Sequence, residues 1–82
     1  MQQKLVSEKE LARLAKRFRK EEGVTRAQAG RELRVSQTSI FQAEQRPEMS
    51  LTKLRIRMIE WYSIYKVQGP AYALKAREPH FV

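Results

Sequence analysis

The sequence predicts a mainly all-α domain of four to five short helices, and three observations carry that expectation. Apolar residues recur at helical spacing in two long segments: Leu11, Leu14, Ala15 and Phe18, then Leu51, Leu54, Met58, Trp61, Tyr62 and Tyr65. Helix-start signals precede short segments, as Ser7 with Glu10 and Thr25 with Gln28 both have capping-box spacing. Helix-stop residues separate the segments, with Gly23 after the first and Pro47 before the last.

The first helix starts at Ser7, where Val6 and Leu11 stand at the positions of a hydrophobic staple. Arg13, Lys16, Arg17, Arg19 and Lys20 fall mostly off its apolar stripe and read as a solvated face. Thr25 opens a second helix of about two turns, from Arg26 to Leu33, with Ala29, Gly30 and Leu33 facing inward. A helical glycine costs about 1 kcal/mol relative to alanine, a cost that makes sense where another helix crosses closely. Leu33-Arg34-Val35-Ser36 is a tight connection with Val35 as its apolar plug. Ser36 then caps a third helix that runs to Gln45. Ile40 and Ala43 face inward there, whereas Gln37, Thr38, Phe41, Gln42 and Gln45 project outward. Ser50 is expected to cap a fourth helix extending to about Tyr65. That helix is apolar over more than one stripe, with Ile56, Ile59 and Ile64 beside the main series, so a second buried face is expected. After Gly69-Pro70 the residues allow either a helix or an edge strand. The division expected is a helix-turn-helix domain over residues 1–66, with its reading unit at 25–45, and a tail over 67–82 as a dimerisation segment.

Composition narrows the function. The chain has 82 residues, a net charge of +8 and no cysteine. A disulfide, a thiol nucleophile and a cysteine metal site are therefore excluded. The single histidine, His80, has no co-ligands at metal spacing, so no metal and no cofactor is expected. Paired carboxylates, a nucleophile with its base and a Gly-rich phosphate loop are all lacking, and the expectation is a protein that is not an enzyme. No apolar run approaches the ~20 residues that span a bilayer, and MQQKLVSEKE lacks a signal-peptide core. No membrane partner is expected, and the localisation expected is cytoplasmic. Strong positive charge points to a polyanionic partner.

The stretch Thr25–Glu44 resembles the helix-turn-helix of phage repressor and Cro-type (XRE-like) DNA-binding proteins. Arg26, Gly30, Leu33 and Val35 carry the likeness, with the run Ser36-Gln37-Thr38-Ser39-Ile40 and then Ala43-Glu44. With the first and fourth helices it extends loosely over residues 7–65. Two positions depart from the pattern. Arg34 stands where glycine is usual at the turn, and Arg26 stands where glutamine is common at the head of the second helix.

The resemblance implies a compact repressor-like fold and a sequence-specific regulator of transcription that binds double-stranded DNA. The helix 36–45 would lie in the major groove of a palindromic operator, with a homodimer supplying two such helices. Gln37, Thr38, Phe41 and Gln42 are the candidate base readers. Arg26, Arg46, Lys53, Arg55, Arg57 and Arg17 are the candidate phosphate contacts. Trp61, Tyr62, Ile64, Tyr65, Tyr72 and Leu74 are the candidate dimer interface. Because some Cro proteins pair a C-terminal strand across the dimer, the tail around Ala71–Ala76 is expected to be extended. The alternative is an antitoxin-like protein that binds a partner protein and represses its own operon.

Overall fold

Ser7 opens the first helix through its side chain: Oγ accepts a hydrogen bond from the Glu10 amide at 3.2 Å. Helix α1 covers Glu8–Glu21 and turns Leu11, Ala15 and Phe18 into the core. Gly23, at φ 71°, reverses the chain, and its amide donates to the Lys20 carbonyl. Helix α2 (Arg26–Leu33) is capped by Thr25, and helix α3 (Gln37–Gln45) by Ser36. Helix α4 spans Thr52–Tyr62. The computed structural model describes residues 4–68 and 73–76. Over these residues the protein is a compact, mostly helical domain, as the sequence leads one to expect.

Three short strands complete it: β1 (Lys4–Leu5), β2 (Tyr65–Gln68) and β3 (Ala73–Ala76). They form one antiparallel sheet in the order β1-β3-β2. Lys4 faces Leu74 across the first pair of strands, and Val67 faces Leu74 across the second. The small sheet closes the open end of the helices with Val67 and Leu74, both buried in the same core as Leu11, Phe18, Met58 and Ile59.

Three expectations need correction. Ser50 does not cap α4; Leu51 holds the N-cap position without a side-chain bond. The helix also stops at Tyr62 rather than Tyr65. Ser63 ends it, because its hydroxyl donates to the Ile59 carbonyl and accepts from the Tyr65 amide, which steers the chain into β2. Last, Ala73–Ala76, the described part of the tail expected to be extended, is a strand, but it pairs inside its own chain, and Ala71 and Tyr72 lie outside the described residues. Both edges of β3 are occupied, by β1 and by β2, so this strand has no edge left for a second subunit. A division at residue 66 would cut β2 in half.

Candidate nucleic-acid interface

Gly30 sets how closely α2 and α3 approach. A Cβ at this position would lie 2.8 Å from the Val35 carbonyl oxygen and 3.3 Å from the Gln37 amide nitrogen. Both neighbours are backbone and cannot swing aside. Arg34 makes the turn in the left-handed conformation, at φ 60° and ψ 46°. Its amide and that of Val35 both donate to the Gly30 carbonyl, closing the end of α2. The small residue and the turn thus act together: one admits the connection, and the other aims α3.

The inner side of α3 carries Ile40, Ala43 and Glu44, all buried. Glu44 is a carboxylate in the interior, and two arginines hold it there. Arg19 from α1 reaches it with two hydrogen bonds, at 2.5 and 3.0 Å, and Arg26 from α2 adds a third at 3.0 Å. Arg19 also donates to the Val24 carbonyl at 2.6 Å. Two cations around one anion leave an excess positive charge at the head of α2. The Arg26 guanidinium also lies over the ring of Phe41, 5.0 Å from its centroid.

Arg55, expected among the phosphate contacts, is not placed to reach a phosphate. Its residue is 0% exposed. The guanidinium donates to the carbonyls of Ala43 and Arg46, at 2.9 and 2.6 Å, and to Glu8 at 2.8 Å. It therefore caps the C-terminal end of α3, where carbonyls lack helical partners and the dipole is negative. Glu8 also accepts from the Thr52 hydroxyl, so the starts of α1 and α4 are tied at the same point. Arg57 does a similar service for α2, donating to the Leu33 carbonyl at 2.7 Å, but its side chain stays exposed.

The outer arc of α3 is left uncovered. Gln37, Thr38, Phe41 and Gln45 are exposed, and Gln42 is half-buried. At about 100° per residue these five occupy a continuous arc of roughly 140°. Arg26 flanks the arc on the Phe41 side. Lys53 and Arg57 line a shallow depression with Ser39 on the other side. Lys16 of α1 reaches its far end, donating to Gln45 at 2.9 Å. Arg46 is exposed and only loosely paired with Glu48, at 3.7 Å. Arg17 is exposed on α1 and paired with Glu21 at 3.0 Å. The arc is thus polar with one aromatic ring, and cations stand along its margins.

Comparison with protein-family models, curated proteins and solved structures gives no match to this chain. Among the described residues there is no cluster of acids, histidines or cysteines able to hold a metal, and no helix long and apolar enough to cross a membrane.

The residues expected at a dimer interface divide into two groups. Trp61 and Ile64 are exposed, at 62% and 65%. Tyr62 and Leu74 are in the core of the single chain, and Tyr65 is half-buried with its ring stacked on Phe18 at 5.8 Å. These three are used inside the subunit. Tyr72 lies outside the described residues. Sequence reasoning missed Arg19 and Glu44. A signal was present: on the helical wheel Arg19 falls between Ala12 and Ala15, and Glu44 lies beside Ile40, each a charge on an inward arc.

Proposed function

We propose that this protein is a sequence-specific regulator of transcription that binds double-stranded DNA as a homodimer and represses by occupying a palindromic operator. One observation carries the reading. The polar outer arc of α3 is uncovered and flanked by cations, while its inner side is locked by Arg19, Arg26 and Arg55. A helix held so firmly from behind, with glutamines and a threonine outward, suits reading of base edges in a major groove. Gln37 and Gln42 would each offer an amide able to pair with adenine N6 and N7, and Thr38 and Phe41 would offer methyl or ring contact to thymine. Arg26, Arg46, Lys53 and Arg57 would contact phosphates and set the register.

Selection of bound sites from random duplex DNA tests this reading. Enrichment of a palindrome with A·T pairs in each half-site supports it, and no enrichment overturns it. Exposed Trp61 and Ile64 supply the surface for a second copy. They also favour a second reading, in which this face binds a different protein and the chain represses its own operon in the manner of an antitoxin. Co-purification of a partner encoded beside it, with the chain monomeric in its absence, would favour that alternative.

A further inference from the structure

Helix α1 carries a row of cations on its outer side, two of which the fold engages: Lys16 bonds Gln45, and Arg17 pairs with Glu21 and lies over the Phe18 ring. Lys9, Arg13, Lys16, Arg17 and Lys20 fall within an arc of about 100° on its outer side. Four of the five are exposed and Lys16 is half-buried. Arg13, Lys16, Arg17 and Lys20 line one shallow depression, joined there by Glu21, which pairs with Arg17. Glu8 is turned the other way, toward Arg55 and Thr52. Lys9 and Arg13, Arg13 and Arg17, and Lys16 and Lys20 are like charges four residues apart, an arrangement that works against the helix. The five cations follow one another over about 17 Å of helix. Neighbouring phosphates on one strand of B-DNA lie ~3.4 Å apart along the axis, so a stripe of this length can span several of them.

We propose that the outer face of α1 is a second DNA-contacting surface, which grips the sugar-phosphate backbone of the duplex beyond the base pairs under α3. The proposal rests on the reading of α3 given above. Position supports it: the Lys16 bond to Gln45 places this stripe directly beside the last turn of α3. The opposite side of α1 argues against a lipid surface. Leu11, Ala15 and Phe18 are already buried in the core, so α1 has no apolar face to insert into a bilayer.

The test uses the full chain and a triple variant, Lys9→Gln with Arg13→Gln and Lys20→Gln. All three positions are exposed and outside the core, so the variant should melt at the same temperature as the parent or higher. Two duplexes are compared, one limited to the selected site and one extended by about ten base pairs at each end. The parent should bind the extended duplex about tenfold more tightly, and the variant should lose that gain. The slope of log K against log salt on the extended duplex should become shallower by up to about 2.7, for three contacts at roughly 0.9 each. Equal slopes and an equal gain for parent and variant would overturn the proposal and leave the α3 reading intact. Failure of the parent to bind any duplex would overturn both.

Discussion

Arg19 on α1 and Glu44 on α3 form a two-point ion pair in the interior, with Nε to Oε2 at 2.5 Å and Nη2 to Oε1 at 3.0 Å. Their side chains are 8% and 0% exposed. Each terminal oxygen of Glu44 is engaged, because Arg26 shares Oε1. The pair is therefore a joint between α1 and α3, and it fixes rotation as well as distance.

Removal of one partner strands the other. Glu44→Ala leaves Arg19 buried without its counter-charge, and the expected loss is about 3–5 kcal/mol. Replacing both, with Arg19→Met and Glu44→Leu together, should recover much of that loss, since the one cation then left without Glu44 is Arg26, whose side chain is 28% exposed and reaches water. Urea denaturation of the two variants checks this. A loss below about 1 kcal/mol for Glu44→Ala would mean that water reaches the pair.

The turn makes a prediction of opposite signs at two nearby residues. Alanine at Gly30 should gain helix propensity, yet the 2.8 Å approach to the Val35 carbonyl forces α2 and α3 apart. A net destabilisation of about 1–3 kcal/mol is expected. Glycine at Arg34 should do the reverse. The left-handed conformation at φ 60° costs a side-chain-bearing residue about 1–2 kcal/mol and glycine almost nothing. Arg34→Gly is expected to stabilise by about 1 kcal/mol once the greater freedom of the unfolded chain is counted. Denaturation midpoints decide both, and a less stable Arg34→Gly would refute the left-handed turn.

These two positions show what the sequence made legible and what it did not. Caps at Ser7, Thr25 and Ser36 are local signals, written within four residues, and each forms the bond its type implies. Gly30 and Arg34 are local too: the glycine was readable as a close approach, and Arg34 stood out as the residue where glycine is usual. Arg55 was not readable. Its neighbours Lys53 and Arg57 are exposed, and only the tertiary position of the end of α3 turns it inward. The same holds for β1, which is two residues long and exists only because β3 returns beside it. Tyr65 fits the helical series of apolar residues, but Ser63 draws its amide out of that series and into a strand.

Tyr62 gives the stability a dependence on alkaline pH. Its hydroxyl donates to Glu32 at 2.6 Å. Burial raises its pKa above the ordinary value near 10, the hydrogen bond and charge of Glu32 raise it further, and Arg19 opposes them. Below pH ~10 the phenol is protonated in both folded and unfolded chains, so its contribution is complete. Above that, the unfolded phenol ionises while the folded one keeps its proton, and about 1.4 kcal/mol is lost per pH unit. Tyr62→Phe keeps the ring and lacks both effects. The parent should exceed it by about 0.5–1.5 kcal/mol at pH 7. The difference should shrink as the pH rises above ~10. Paired urea melts at pH 7, 9, 10 and 11 measure it, and a constant difference would contradict the raised pKa.

On the proposed function, base reading and phosphate contact should separate in solution. Gln37→Ala and Gln42→Ala should each weaken binding to the selected site by about 1–3 kcal/mol and leave random DNA nearly unaffected. Lys53 is exposed at the start of α4 beside Ser39. Lys53→Ala should weaken both duplexes alike and make the salt slope shallower by about 0.9. Arg55→Ala provides the contrast, since this side chain is wholly enclosed and caps α3. It should lower the denaturation midpoint strongly, whereas Lys53→Ala leaves it within about 0.5 kcal/mol of the parent. Titrations of labelled duplex at four salt concentrations, alongside urea melts, distinguish the three classes. If Gln37→Ala and Gln42→Ala lose selected and random DNA equally, α3 contacts DNA without reading it. If Lys53→Ala leaves the slope unchanged, the phosphate on that side of α3 is held by Arg57 or by the backbone amides instead.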